Sequence, residues 1–480
     1  MQQVFARVGL AISKVFRAVA PDPLVIAVVL LIVTCGLGFA LGDFRAAGEV
    51  LSVREKCARL ADSFRDTGAS GSHMWSLLTF SMQMCLVLVT GHVLASTAVV
   101  ARGLRWMASI PTTGQGAAAM VACVACCTGV INWGLGLIVG ALLAREAGQS
   151  LARRGITHHY PIIAAAGYFG LMVWHGGLSG SAPLTMTSIE GARRTLPADV
   201  MDRIVSAGFP QGIALEHTLF TPFNLFITGG LLVLVPAAVW VLTPRNERDH
   251  VCTVPRDVER EESKASEDDA SMGRVPAWLE QSRVVPIVMA CLLAAGLWRF
   301  LDVSSISRVG LNEIASCMLV LGLVLHGNAR SFVRAVDEAA KGCGGIIIQF
   351  PIYAAIIAVM VNTGLIRVLA DVASEASPTW LPVTTFLSAS VINLFVPSGG
   401  GQWAVQGPIA LQAAFAQGVH PGTIIMSVAY GDQLTNMLQP FWALPLLAIT
   451  GVKARDIVGY TALVMLLAGL WIIAGLLIFA

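Results

Sequence analysis

One acidic residue lies where ionisable groups are rare, within the long apolar stretch 421–450. Asp432 is followed by Gln433, Thr435 and Asn436, whose side chains form hydrogen bonds. A carboxyl group inside a bilayer is costly unless it binds a cation, accepts hydrogen bonds or takes up a proton. Burial favours its neutral form and hydrogen bonds favour its charged form, so its charge state stays open. Asp432 is therefore the first functional candidate, and its alternative role is a structural carboxylate that braces an unwound helix.

A second polar group interrupts the apolar stretch 160–188. His175, Ser179 and Ser181 alternate there with glycines, and a proline follows. Gly and Pro within a span interrupt the helical ladder and free backbone groups, which protein or a water-filled cavity must satisfy. The stretch 421–450 is interrupted in the same way, so two broken helices are predicted. The alternative for His175 is a core histidine whose ring is satisfied by hydrogen bonds.

Two further stretches, 112–144 and 380–411, share the string Val-Ile-Asn followed by a glycine-containing turn. Half-helix N-termini at such turns favour anions, whereas free carbonyls and the oxygens of Ser, Thr and Asn favour Na⁺. The glycines also leave backbone N–H groups open to a carboxylate. The candidate binding residues of the two turns are Thr128, Asn132, Asn393, Ser398, Gly399, Gly400, Gly401 and Gln402.

The elements that position these residues are predicted to be membrane helices. The chain has 480 residues, of which 56% are apolar and 12% are charged, about half the charged share of a typical soluble domain. The mean hydropathy is +0.73, and the charge is concentrated in the segment 243–283. No basic cluster with interleaved aromatic residues is present, so a nucleic-acid partner is not expected.

Apolar stretches long enough to cross a bilayer of about 30 Å predict about nine transmembrane helices. These stretches are 24–42, 74–100, 160–188, 220–242, 284–301, 310–327, 342–366, 421–450 and 456–479.

The stretches 112–144 and 380–411 are too long for one untilted span and too short for two. Arg102 and Arg145 flank the first of them, which by the positive-inside rule puts both of its ends in the cytoplasm. The N-terminal basic residues likewise place the N-terminus in the cytoplasm. When the spans are counted from there, both ends of 380–411 lie outside, so this stretch enters the membrane from the outer side. The predicted fold is therefore an all-α polytopic membrane protein, an inverted-repeat secondary transporter with two broken helices and two oppositely oriented re-entrant hairpins.

Four segments follow from this topology. Residues 1–21 are predicted to form an amphipathic interfacial helix, since basic residues are spread through an apolar pattern. Residues 22–242 form the first repeat, with the hairpin 112–144 and the broken span 160–188. Residues 243–283 form a charged cytoplasmic linker. Residues 284–480 form the second repeat, with the hairpin 380–411 and the broken span 421–450.

Several strings resemble the bacterial short-chain fatty acid transporter family of the acetoacetate-operon type, over nearly the whole chain. They are Pro21-Asp-Pro, His175-Gly-Gly-Leu-Ser-Gly-Ser-Ala-Pro183, Phe220-Thr-Pro-Phe-Asn224, Asn393-Leu-Phe-Val-Pro-Ser-Gly-Gly-Gly-Gln-Trp403 and Gly431-Asp-Gln-Leu-Thr-Asn436 through Trp442. The family is grouped with the ion transporter superfamily, whose members have inverted repeats, two re-entrant hairpins and often a homodimer.

The resemblance implies an importer of short-chain carboxylates in the bacterial cytoplasmic (inner) membrane, with the lipid bilayer and a homodimer as partners. No cofactor or metal is implied, and the co-transported ion, H⁺ or Na⁺, stays open because the paired Ser-Asn-Thr signature of sodium-coupled relatives is absent. It also implies cation and substrate sites lined by Thr128, Asn132, Ser179, Ser181, Asn393, Ser398, Thr435 and Asn436. No Arg or Lys lies deep in a predicted span, which favours a monocarboxylate over a multiply charged anion.

Three alternatives compete with this interpretation. The same fold could carry another small carboxylate or a hydroxy acid. An intramembrane hydrolase could use Ser179, His175 and Asp432, but the string around Ser179 misses the nucleophile-elbow pattern. A passive channel suits polar clusters closed from both sides less well than alternating access does. We therefore expect a transporter and not an enzyme.

Overall fold

The computed structural model describes residues 21–46, 49–65, 73–244, 274–303 and 311–479, with a few residues between 10 and 18. Most of the predicted interfacial helix over 1–21 lies outside the described residues. Most of the predicted linker over 243–283 does so too. Within the described part the elements are helices, apart from a short antiparallel pairing of two strands. These strands are β1 (Arg45–Ala46) and β2 (Glu49–Val50).

The helices before residue 245 are α1 (Pro23–Leu41), α2 (Val53–Asp62), α3 (Leu78–Ala95), α4 (Ala98–Ser109), α5 (Gly114–Ile131), α6 (Trp133–Arg153), α7 (Tyr160–Tyr168), α8 (Ser181–Met186), α9 (Ile189–Thr195), α10 (Ala198–Ser206) and α11 (Pro222–Leu242). Short 3₁₀ segments lie at Phe169–Met172, Trp174–Gly176 and Leu215–His217.

The helices after residue 273 are α12 (Arg274–Gln281), α13 (Val284–Val303), α14 (Leu311–His326), α15 (Ala329–Ala340), α16 (Gly344–Asn362), α17 (Leu365–Ser374), α18 (Leu381–Phe395), α19 (Gly399–Gln417), α20 (Pro421–Thr435), α21 (Pro440–Thr450) and α22 (Ala454–Phe479). Two more 3₁₀ segments lie at Lys341–Cys343 and Asn436–Leu438.

Eight helices of the described chain are long and apolar enough to cross a membrane, compared with about nine predicted. Two of the predicted spans are not among these eight, and one helix outside the predicted spans is. The stretch 310–327 contains only the 16-residue α14, and 421–450 is divided into α20 and α21 by the 3₁₀ segment Asn436–Leu438. Conversely, α5, which was predicted as one arm of a re-entrant hairpin, is apolar enough to cross.

Helices α5 and α6 form a helical hairpin whose turn is the single extended residue Asn132 (φ −156°, ψ 133°). Glycines bring the two helices together, because a Cβ on Gly136 would lie 2.6 Å from the Cα of Gly129. The two ends of the hairpin also meet, since Arg154 donates to the carbonyls of Ser109 (3.1 Å) and Pro111 (2.7 Å).

Helices α18 and α19 form the second hairpin, with Ser398 capping α19 by accepting from the N–H of Gly401 at 3.2 Å. Its C-terminal end contacts the end of α17, the helix that precedes the hairpin, because Gln417 donates to the carbonyl of Ser374, 3.2 Å away. Both hairpins extend beyond the predicted limits of 144 and 411. The helices continue past the apolar stretches to the left-handed glycines Gly155 (φ 67°) and Gly418 (φ 70°), where L-residues are disfavoured.

The two interrupted helices contact each other at their breaks. Tyr168, the last residue of α7, donates its hydroxyl to the carbonyls of Asn436 (2.7 Å) and Gln439 (3.1 Å). Both carbonyls lie at the break between α20 and α21, where the regular helical ladder stops. Tyr168 thus ties the end of α7 to the break of the second half, and this contact places the candidate residues in one region.

Candidate functional site

The centre of this region is a buried pair formed by His175 and Asp432. Their side chains meet at 2.9 Å, between Nε2 of His175 and Oδ1 of Asp432, with residue exposures of 0% and 2%. His175 lies in the 3₁₀ segment that follows α7, and Asp432 lies in the last turn of α20. The backbone N–H of His175 also donates to Oε1 of Gln433 at 3.0 Å, so two consecutive residues of α20 hold the histidine.

The protonation of the histidine ring follows from its second contact. The backbone N–H of Ser181 donates to Nδ1 of His175 at 3.2 Å. Because a backbone N–H can only donate, Nδ1 carries no proton, and the ring is the neutral tautomer with its proton on Nε2. His175 therefore donates to the carboxylate of Asp432 and is not a cation in this arrangement.

The other carboxylate oxygen of Asp432 is unoccupied by protein groups. No described residue donates to Oδ2, although this atom is buried. An ionised carboxylate offers about four lone-pair positions, so a single donor leaves most of its hydrogen-bonding capacity unused. Burial of such a group is costly until a proton or cation joins it. Oδ2 is thus a position where an ion could be taken up.

Asn393 ties the second hairpin to the broken helix beside this pair. Its amide Nδ2 donates to the carbonyl of Asp432 (2.6 Å), to Oγ1 of Thr435 (3.1 Å) and to Oδ1 of Asn436 (2.9 Å). Gln439 in turn donates to the carbonyl of Asn393. The predicted residues Asn393, Thr435 and Asn436 therefore form one network, whose buried groups hold the tip of the hairpin against the break.

A cavity of about 430 Å³ lies at the tip of the second hairpin, and we call it the tip cavity. Its volume is within the usual range for small-molecule sites. Its lining combines aromatic side chains with hydroxyls, amides, the acid Glu313 and the first residues of α19. The lining residues are Leu77, Phe80, Gln83, Trp133, Trp174, Ser181, Asn312, Glu313, Pro397, Ser398, Gly399, Gly400 and Trp442.

The aromatic wall is a packed cluster. The rings of Trp133 and Trp442 meet edge to face with centroids 5.1 Å apart, and Trp174 lies 6.0 Å from Trp133. Phe80 completes the group at 5.9 Å from Trp442. Trp174 also packs against its neighbour His175, with ring centroids 3.6 Å apart and the ring planes tilted by 34°. The wall of the tip cavity therefore contacts the buried pair directly.

Adjacent glycines at the tip have different surroundings. A Cβ built on Gly399 would lie 2.7 Å from Cε1 and 2.8 Å from Nε2 of His175, closer than real Cβ contacts. A Cβ on Gly400 would meet no protein atom within 4 Å. Gly399 is therefore needed for the contact between hairpin and histidine, whereas Gly400 borders open space in the tip cavity.

The remaining predicted residues are divided between the tip cavity and structural roles. Ser181 and Ser398 line the tip cavity. Thr128 donates to the carbonyl of Val124 in its own helix at 2.7 Å, and Asn132 caps α6 by accepting from the N–H of Gly134 at 2.9 Å.

Three further predicted residues contact protein groups near the tips. Ser179 accepts from the N–H of Trp133 at 3.0 Å and joins the first hairpin to the broken helix. Gln402 donates to the carbonyl of Ala389 at 3.0 Å, inside the second hairpin. Gly401 donates to its cap Ser398, as described above, and is not among the residues that line the tip cavity.

The prediction omitted several residues that the structure places at the site. The aromatic wall of Phe80, Trp133, Trp174 and Trp442 has no spacing signal, because its members come from distant elements. Asn224, within one of the strings noted above, was also omitted. It donates to the carbonyl of Gly176 at 3.0 Å and so supports the histidine segment.

Known sequences and structures resemble the chain along most of its length. A family model described as "Short chain fatty acid transporter" matches residues 4–479. A protein of Escherichia coli (strain K12), provisionally named a short-chain fatty acid transporter, is 37% identical over 413 residues, 85% of this chain and 89% of the relative. A protein of Haemophilus influenzae with the same provisional name is 33% identical over 467 residues, 96% of this chain and 97% of the relative.

Two solved structures align with the chain at 16% sequence identity. The Alcanivorax borkumensis YdaH transporter, described as having an unusual topology, aligns over 96% of this chain and 97% of its own, with a TM-score of 0.41. Neisseria gonorrhoeae MtrF, described with a class of antimetabolite efflux pumps, aligns over 96% of this chain and 94% of its own, with a TM-score of 0.36.

Proposed function

The chain belongs to the short-chain fatty acid transporter family, and on this premise we propose that it is a secondary-active importer of short-chain monocarboxylates such as acetoacetate or butyrate, coupled to H⁺ or Na⁺. The family resemblance stated from the sequence motifs is confirmed, and the chain is an integral membrane protein. The observation that carries the substrate proposal is the tip cavity, in which an aromatic wall faces hydroxyls and a helix N-terminus.

The tip cavity suits a small anion with a short apolar tail. The N–H groups of Gly399 and Gly400 begin α19 and have no partner within the helix, which favours a carboxylate there. Ser181 and Ser398 add hydroxyls, and the aromatic wall is placed to cover the hydrocarbon tail. No Lys, Arg or His is among the lining residues and Glu313 is, so the lining lacks the positive charge that a multiply charged anion would need.

Gly400→Val is expected to weaken substrate binding more than about tenfold, because a branched side chain at the start of α19 would occupy the carboxylate position. The fold should be unaffected, since no protein atom lies within 4 Å of a Cβ there. Labelled butyrate binding and thermal unfolding of the purified protein test both statements. The matched control is Gly296→Val on α13, where the surroundings are equally open. Wild-type affinity in Gly400→Val would remove the tip from the binding site.

Competition separates this substrate class from the alternatives. Uptake of labelled butyrate into proteoliposomes should be inhibited by acetoacetate and butyrate, and not by succinate or by short hydroxy acids at the same concentration. Inhibition by succinate alone would instead support a different carboxylate on this fold. A hydrolase is disfavoured by the contacts of its candidate residues: Ser181 N–H occupies Nδ1 of His175 and Asp432 contacts Nε2, so neither ring nitrogen meets the Ser179 hydroxyl.

We also propose that the α5–α6 and α18–α19 hairpins are re-entrant from opposite sides and belong to inverted repeats. The contacts of Arg154 with Ser109 and of Gln417 with Ser374 support one part of this proposal, namely that the chain enters and leaves each hairpin on the same side of the membrane. The inner-membrane location with a cytoplasmic N-terminus, and the homodimer expected from the resemblance, belong to the same proposal. Cross-linking of the protein in native membranes tests the dimer.

The topology predicts shared labelling at hairpin ends. Single cysteines at Ser109 and Arg153, both exposed, should react from the cytoplasmic side with an impermeant maleimide, since the two ends of α5–α6 adjoin each other. Cysteines at Ser374 and Gln417 should react from the opposite side. A cysteine-free background and inside-out vesicles provide the controls. Labelling of the two members of either pair from different sides would contradict the re-entrant arrangement.

A further inference from the structure

We propose that the coupling ion is a proton and that Asp432 carries it, on the carboxylate oxygen that faces away from His175. This inference rests on the proposed function and deepens it by naming the ion that the same site takes. Four observations support it: the tautomer of His175, the unpartnered Oδ2, the groups that surround the pair, and the contact between the pair and the tip cavity.

The pair has one position that accepts a proton without breaking a described hydrogen bond. The ring of His175 is neutral, its Nε2 proton is donated to Oδ1 of Asp432, and its Nδ1 is occupied by the N–H of Ser181. A proton added to Nδ1 would expel that N–H. A proton added to Oδ2 disturbs no described contact. The proton is therefore bound at Oδ2 as a carboxylic O–H, and its release restores the carboxylate.

Few other titratable groups adjoin α20, the helix of Asp432. No titratable side chain occurs in five of the elements packed against α20. These are α8, α18, α19 and the segments Phe169–Met172 and Asn436–Leu438. On α20 itself, Tyr430 donates to Oδ1 of Asn224 at 2.7 Å. The titratable residues of α22 near α20 are Arg455 and Asp456, in the first turn, and Tyr460. The hydroxyl of Tyr460 meets Nε2 of His159 at 2.7 Å.

Tyr168 of the neighbouring α7 is likewise engaged, with its hydroxyl donated to the break as described above. Glu313 lines the tip cavity, but it is an acid and cannot neutralise the carboxylate of Asp432. No described cation contacts Oδ2 of Asp432. The negative charge of an ionised Asp432 is thus left without a compensating positive charge.

The pair is coupled to the substrate site through the tip glycine. A Cβ on Gly399 would lie 2.8 Å from Nε2 of His175, so the backbone that borders the tip cavity touches the ring that holds Asp432. A substrate carboxylate at the start of α19 would be repelled by an ionised Asp432, because like charges in a site of low dielectric constant interact strongly. Protonation of Asp432 removes this repulsion, so anion and proton bind together.

A sodium ion is a less suitable occupant of this position. Sodium in transporters is held by several oxygen ligands, such as backbone carbonyls and hydroxyls. The described hydrogen-bonding partner of the Asp432 carboxylate is the Nε2–H of His175, a donor that cannot serve as a sodium ligand. One proton moving with one monocarboxylate anion carries no net charge, so transport should respond to a pH gradient and not to membrane potential.

The test uses the full-length protein in proteoliposomes and the initial rate of labelled butyrate uptake over the first seconds, after subtraction of the rate in protein-free liposomes. An inward proton gradient should raise the wild-type rate about tenfold, since binding requires the protonated carboxyl. A potassium diffusion potential with valinomycin, or an inward sodium gradient at constant pH, should leave the rate unchanged. A rate driven by sodium and not by protons would overturn the proposal.

Asp432→Asn keeps the size of the side chain and loses the titratable oxygen. This variant should no longer respond to the proton gradient, while its exchange of butyrate against butyrate becomes independent of pH. Asp456→Asn, which neutralises a buried acid in α22 outside the site, should respond like the wild type. A proton response of wild-type size in Asp432→Asn would refute the assignment. If Asp432→Asn does not assemble, the response of wild-type uptake to proton and sodium gradients still decides between the two ions. Absence of any butyrate exchange by the wild-type protein would instead refute the proposed function.

Discussion

Gly399→Ala is expected to reduce butyrate exchange by more than about tenfold, even though it adds a single methyl group. Its Cβ would lie 2.7 Å from Cε1 of His175, a ring held on one edge by Asp432 and on the other by the N–H of Ser181. The ring cannot move without breaking one of these contacts, so the start of α19 would have to shift away from it. Overpacking of this kind typically costs about 1–3 kcal/mol. Exchange in proteoliposomes and the unfolding temperature are the two measurements.

The control for this substitution is Gly103→Ala on α4, where no protein atom lies within 4 Å of the added Cβ. It should keep wild-type exchange and stability. Wild-type exchange in Gly399→Ala would mean that the hairpin tip and the histidine segment are not in contact in the working protein. The link between substrate site and buried pair would then have to be abandoned.

Asn393→Asp is expected to prevent stable assembly of the protein, although the two side chains have nearly the same shape. The Nδ2 of Asn393 faces three acceptors, namely the carbonyl of Asp432, Oγ1 of Thr435 and Oδ1 of Asn436. A carboxylate there turns a donor into an acceptor and leaves buried polar groups unpaired, at about 1–3 kcal/mol for each group. The yield of monodisperse protein in detergent measures the loss.

The matched control is Asn312→Asp. Asn312 is exposed, and its Oδ1 accepts from Nε2 of Gln83 at 2.9 Å, a role that an aspartate oxygen can also fill. The same chemical change should therefore have little effect on yield at this position. Equal yields of both variants would show that Asn393 is not the donor at the centre of the network.

The positions of the chemically important residues could be predicted from the sequence, but their mutual contacts could not. Asp432 and His175 are recognisable because polar groups and helix breakers are costly in apolar stretches. Their contact joins residues 257 positions apart, and no local pattern encodes it. The aromatic wall is hidden for the same reason, since its rings come from elements far apart in the sequence.

Other differences arise because hydrogen-bonding side chains also serve the backbone. Asn132 and Asn393 occur in the same Val-Ile-Asn string, yet Asn132 caps α6 whereas Asn393 bridges to the broken helix. A polar residue at a helix end satisfies free N–H groups and needs no ligand. The helices of both hairpins run past the apolar stretches 112–144 and 380–411, nearly to Gly155 and Gly418, because charged and polar residues such as Arg145 and Gln412 continue the helix where the apolar pattern ends.

The central claim is that this chain moves short-chain monocarboxylates through a site at the second hairpin tip. The most direct test is counterflow: proteoliposomes preloaded with unlabelled butyrate are diluted into labelled butyrate at pH 7.5, with no ion gradient. At this pH almost all of the acid is ionised, and protein-free liposomes measure the passive entry of the neutral remainder. We expect a transient accumulation of label in wild-type vesicles and its loss in Gly400→Val. A wild-type time course identical to that of protein-free liposomes would contradict the claim.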